Sequence, residues 1–155
     1  MINHFYEIKN LQAHGYTVYP YLISNLYEIK HNYIVQPINL LYINAHGSKD
    51  SLSIDYFDTT HNLEILNLAQ DAHIVLNSCS TGKGLENSVA AKLANDNPGT
   101  IVFGALTDVF ASSINFVTYG EPSIESVEYQ SAGIFSPSFF EYKMHEFMGI
   151  CLPEE

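Results

Sequence analysis

Residues 38–45 read INLLYINA and stop abruptly at His46-Gly47, residues 72–77 read AHIVLN and stop at Ser78-Cys79, and residues 100–105 read TIVFGA. Runs this short and this continuously apolar lack the alternation of a half-buried strand and the length of a helix. They predict strands covered on both faces, as in a parallel sheet with helices above and below. Working outward, residues 85–95 put Leu85, Val89, Ala90 and Leu93 on one helical face, and Asn97-Pro98-Gly99 ends that helix. Residues 63–69 are expected to form another helix, between the first two strands. Strand, helix, strand, helix, strand predicts an α/β fold: a mostly parallel sheet flanked by helices, with right-handed crossovers.

The flanks are simpler. Phe5, Ile8, Leu11 and Gln12 share helical spacing over residues 5–13, and Gly15 is a natural stop. Residues 16–24 (YTVYPYLIS) are β-branched and aromatic and predict a strand, with Pro20 implying an edge or a bulge. Residues 25–32 suit a short helix, 51–57 a hairpin arm, 114–119 and 123–129 a hairpin, and 139–148 (FFEYKMHEFM) an amphipathic helix. With no internal repeat or low-complexity tract, residues 1–155 are expected to form a single domain.

Composition narrows the function. The chain has 155 residues, 46% hydrophobic and only 15% charged, with a formal net charge of −11. Its six cations are Lys9, Lys30, Lys49, Lys83, Lys92 and Lys143, and it has no arginine. Such a balance argues against nucleic acid, anionic membrane and polyphosphate ligands, which require cationic clusters. No apolar run is long enough for a membrane span, and the N-terminus offers no signal-peptide core. Cys79 and Cys151 are too few for a disulfide framework and are expected to be reduced thiols in a cytosol-like compartment.

In an open parallel sheet, reactive groups collect beyond the carboxyl ends of the strands. His46 and Cys79 occupy two such ends, and their separation of 33 residues (79 − 46) is the length of one βαβ unit. A cysteine needs a nearby base to become a competent thiolate, and a histidine on the neighbouring strand end supplies one. Gly47 lets the backbone approach a substrate, and the Gly47 and Cys79 N–H groups are available to a developing oxyanion. The helix expected from Leu85 would add its positive end beside the thiol. Other readings are weaker. Thr81-Gly82-Lys83-Gly84 lacks the full phosphate-loop spacing, and His46, His61, His73 and Cys79 lack metal-ligand spacing, so no metal or other cofactor is expected. His73, inside a strand, reads as a core residue. Ser78 and Ser80 lack the G-x-S-x-G elbow of a serine nucleophile.

NLLYINAHGS followed by DAHIVLNSCSTGKG resembles the clan of caspase-like cysteine peptidases: a hydrophobic strand ending in His-Gly, then a second ending in Cys after a small residue. Ser78-Cys79-Ser80-Thr81-Gly82 is most similar to the CHAT branch, and ENSVAAKLA leading into VFGALTD extends the likeness over residues 38–110. The resemblance implies His46 as general base and acid, Cys79 as nucleophile, and Gly47 and Cys79 as oxyanion-hole donors. It implies hydrolysis of protein or peptide substrates through an acyl-enzyme.

The chain departs from the family in three places. The family fold begins with a central strand before its first helix, whereas this chain opens on the helix. The resemblance therefore implies a sheet without its usual first strand, with a partner chain or a second copy free to complete it. Caspases hold an acidic P1 side chain with arginines, so cleavage after Asp is not expected. Related pockets carry an acidic residue two before the nucleophile, where this chain has Asn77. A neutral floor suits a polar or apolar P1, while Asp108, after the third strand, would attract a basic one. The alternative to an enzyme is a catalytically silent caspase-like module serving as a scaffold. The abundance of Asn, Ile and Tyr points to an AT-rich bacterial genome, and to a cytoplasmic protein or a secreted effector acting in a reducing compartment.

Overall fold

The structure, a computed structural model, describes residues 2–131. The helix expected over residues 139–148 and Cys151 lie outside the described residues. Helix α1 (Ile2–Ala13) and the short α2 (Leu26–Lys30) precede β1 (Ile38–Asn44) and β2 (Leu68–Asn77). A 3-10 turn (Leu85–Asn87) leads into α3 (Val89–Asp96), followed by β3 (Ile101–Phe103), β4 (Val109–Phe116) and β5 (Ile124–Ser131). Strands β1, β2 and β3 form a parallel sheet in that order, and β4 and β5 form the expected antiparallel hairpin as a separate two-stranded sheet. The fold is α/β. No helix among the described residues is long and apolar enough to cross a membrane.

The three deciding runs are near-continuously apolar because the parallel sheet is packed on both faces. One face sends Ile43, Ile74, Leu76 and Val102 into a cluster with Leu26 and Ile29 of α2, Val89, Ala90 and Leu93 of α3, and Phe57, Leu63 and Ile65 from the β1–β2 connection. The other face sends Val75 and Phe103 into a second cluster with Leu11 of α1, Ile114 of β4, and Val127 and Tyr129 of β5. Truncating a side chain at the middle of such a layer, Leu76→Ala for example, costs about 2–5 kcal/mol.

Two expected elements are absent, one explained by hydrogen bonding and the other by packing. Residues 63–66 are not helical because their N–H groups find acceptors elsewhere. Leu63 donates to Asp96 Oδ2 (2.8 Å), Glu64 to Asn62 Oδ1 (2.8 Å), Ile65 to Asn97 Oδ1 (2.8 Å) and Leu66 to the Lys30 carbonyl (3.1 Å). Strand β2 then begins at Leu68, four residues earlier than the apolar run suggests. Residues 16–24 form no strand. Tyr16 and Val18 pack on the second cluster and Ile23 on the first, so the segment passes from one face of the sheet to the other instead of joining a ladder.

Asn97 bears much of the β1–β2 connection. Buried at the end of α3, it accepts from Ile65 N–H and donates Nδ2 to the carbonyls of Leu63 (2.9 Å) and Leu93 (2.8 Å). Asn97→Ala strands three buried backbone groups, each costing about 1–3 kcal/mol. We expect a loss of about 3 kcal/mol, read as a melting point lower by about 10 °C.

Candidate functional site

The register of the central pair decides where the site can form. Strands β1 and β2 run parallel with Asn44 opposite Asn77, an offset of 33 residues (77 − 44). His46 and Cys79 carry the same offset, so each follows its strand's last paired residue by two positions. The Asn44 and Asn77 side chains meet across the pair, Nδ2 of Asn77 donating to Oδ1 of Asn44 at 2.7 Å.

Beyond that pair the two strand-end loops touch. A Cβ added to Gly47 would lie 2.9 Å from the Cys79 carbonyl oxygen, 2.9 Å from Ser78 Cβ and 2.9 Å from Thr81 Cγ2. Glycine is therefore required at 47 by space and not by backbone angle. Both loops are held by the start of α3. Four N–H groups at a helix start lack partners within the helix. Here Val89 N–H donates to the Lys49 carbonyl (2.7 Å), Ala90 N–H to the Thr81 carbonyl (3.1 Å) and Ala91 N–H to Ser88 Oγ (3.1 Å). One helix end thus ties the loop after β1 to the loop after β2. It also corrects an expectation: α3 begins at Val89 and not at Leu85, and its first amides are occupied by these carbonyls instead of facing the thiol.

His46 is exposed and its backbone is fixed on both sides by Ser53, whose N–H donates to the His46 carbonyl (2.8 Å) and whose Oγ accepts from His46 N–H (3.1 Å). Cys79 is half-buried and free, and its Sγ lies 3.4 Å from both the carbonyl oxygen and the amide nitrogen of Val109. Among the described residues, neither the Gly47 nor the Cys79 N–H donates to a backbone carbonyl, so both remain available as oxyanion donors.

The loop after Cys79 is laced to the segment before β4. Ser80 N–H donates to the Thr107 carbonyl (2.9 Å), Ser80 Oγ to Asp108 Oδ1 (2.8 Å), and Gly82 N–H to the Ala105 carbonyl (2.8 Å). Ser80 has φ +54°, an uncommon left-handed conformation for a non-glycine residue, held by these bonds directly after the thiol. Asp108, expected to help select substrate, is exposed but engaged with Ser80, and Asn77 spends a donor on Asn44 while its buried Oδ1 has no partner among the described residues.

The other histidines lie elsewhere. His61 Nδ1 pairs with Asp58 at 2.9 Å, and His73 stacks on Phe103 at 6.0 Å between ring centroids. Burial pushes the His73 imidazole below its ordinary pKa, opposed by the nearby Asp71 carboxylate. The folded protein then holds fewer protons at His73 than the unfolded chain, so acidification favours unfolding. Stability is expected to be fully present above about pH 6.5 and to decline as pH falls below it. His73→Gln should flatten that decline in melts between pH 5 and 7.5 (about the range over which imidazoles titrate).

Compared with family models, curated proteins and solved structures, the chain matches none. Three contacts at the site are not apparent from sequence: Ser53 on His46, Val109 on Cys79, and Ser80 on Asp108. The last two join residues about thirty positions apart, and the first rests on a turn that no local spacing signals.

Proposed function

We propose that the chain is a cysteine peptidase of the caspase-like type, closest to the CHAT branch, hydrolysing peptide bonds through His46 and Cys79. The observation that carries the reading is the contact of Gly47 with Cys79. With the loops this close and their residues in register, an imidazole and a thiol can serve one scissile bond. The Cys79 sulfur attacks the substrate carbonyl carbon while His46 takes the thiol proton. The Gly47 and Cys79 N–H groups stabilise the oxyanion, and the C–N bond breaks as His46 returns the proton to the leaving amine. Water, activated by His46, then hydrolyses the thioester and regenerates the thiol. The outer edge of β1 carries no strand among the described residues, leaving room for a partner chain or second copy to complete a caspase-like sheet. A reducing compartment, cytoplasmic or that of a host cell entered by a secreted effector, would keep the thiol active.

One observation favours the silent scaffold instead: the thiol is already engaged by the Val109 backbone. A fluorogenic peptide library, incubated with the protein under reducing conditions, separates the two. Turnover with a defined P1 preference, abolished by prior iodoacetamide treatment, is expected of the peptidase; no turnover with any member supports the scaffold.

A further inference from the structure

Helix α2 and the β1–β2 connection, which also holds His46, together present a row of exposed rings. Tyr27 stacks on His31 at 6.0 Å and meets Tyr56 edge-on at 6.3 Å, and Tyr56 meets His61 at 5.4 Å. Both tyrosines are more than half exposed, at 61% for Tyr27 and 56% for Tyr56. Tyr56 sits in an unusual place. The turn closed by Phe57 N–H donating to the Ile54 carbonyl (3.0 Å) puts it at the third position with φ +66°. That position takes Gly or Asn in turns of this kind, and a bulky aromatic there is an outlier. Its ring, lodged between Tyr27 and His61, buries little, so the conformation does not follow from core packing.

The surroundings are acidic. Residues 24–64 carry Glu28, Asp50, Asp55, Asp58 and Glu64 against Lys30 and Lys49. Both cations are engaged, Lys49 with Asp50 (2.8 Å) and Lys30 with the Asn62 carbonyl (3.0 Å). Hydrogen bonds from Thr60 and His61 hold the Asp58 carboxyl down at about 2, so it is charged at any working pH. Exposed tyrosine rings on a stretch with five carboxylates against two lysines form the setting in which a cation lies over an aromatic ring.

We propose that the Tyr27–Tyr56 row is an exosite for a lysine- or arginine-rich polypeptide segment, which it holds beside the loop bearing His46. As a guide to substrate class the inference rests on the peptidase reading, but binding itself does not. The chain-wide net charge of −11 draws such a segment in, and the rings select cation over neutral peptide.

The test uses the full chain with Cys79→Ala, so that no probe is consumed, and fluorescein-labelled peptides alternating glycine with lysine, serine or glutamate. The lysine peptide is expected to bind by anisotropy and the others not. Tyr27→Leu and Tyr56→Asn keep every charge, and asparagine tolerates the left-handed turn. Each should weaken binding about two- to fivefold. Tyr119→Leu, at an exposed tyrosine edge-on to His14 and outside this row, should not. Circular dichroism melts verify that each variant is folded. Failure of the lysine peptide to bind, equal binding of the serine peptide, or unchanged affinity in both ring variants overturns the proposal. Binding of the lysine peptide by Cys79→Ala, with no turnover of any member of the fluorogenic library by the wild type, would instead sink the peptidase reading and leave the exosite standing.

Discussion

Cys79→Ala is expected to lower kcat/KM on the best library peptide by about 10³-fold or more, because without the sulfur no acyl-enzyme can form. His46→Ala should cost a similar factor, and the double variant little more than either alone. Residues that act as one unit fail together instead of additively. The fold should survive both changes. Among the described residues the thiol's polar contacts are with the Val109 backbone, and His46 is exposed, its backbone bonds to Ser53 being retained by alanine. Melting points within a few degrees of wild type would show that activity and not folding was lost. Turnover retained by Cys79→Ala would end the assignment of the nucleophile.

The second large effect is expected from Gly47→Val. Even a bare Cβ meets three atoms at 2.9 Å, one of them the carbonyl oxygen of Cys79. None of the three is the far end of a flexible side chain, so the strand-end loops must move apart. Overpacking of this kind costs about 1–3 kcal/mol. Displacing a reacting group by about 1 Å costs about 10²-fold in rate. Gly47→Val should therefore lower activity by about two orders of magnitude while leaving a folded protein with a lower melting point. Wild-type activity in that variant would mean that the contact does not position the site.

The parts of the fold legible in the sequence are those with a local cause. Runs 38–45, 72–77 and 100–105 read as two-faced strands because their residues fill both clusters, and Val89–Asp96 follows from an apolar helical face, from which Leu85, exposed in a 3-10 turn, drops out. Residues 63–69 misled because their leucines and isoleucine are spaced as in a helix, while Asp96, Asn97 and Lys30, far along the chain, capture the N–H groups a helix would use. Residues 16–24 misled because β-propensity reports fit to a pleated surface, and the chain here must cross the sheet instead. At the candidate site, His46, Gly47, Cys79 and Asn77 are readable because each lies at or just past the end of a strand that its own apolar run marks. Asp108 was visible as a residue but not as the partner of Ser80, nor Ser53 as the clamp on His46.

The most direct test is site mapping by mass spectrometry after brief reaction with a peptidyl chloromethyl ketone at neutral pH. The peptidase reading predicts an adduct on Cys79 well before Cys151, at a rate that falls about 100-fold or more in His46→Ala. Equal, slow alkylation of both cysteines, unaltered by the loss of His46, would contradict it.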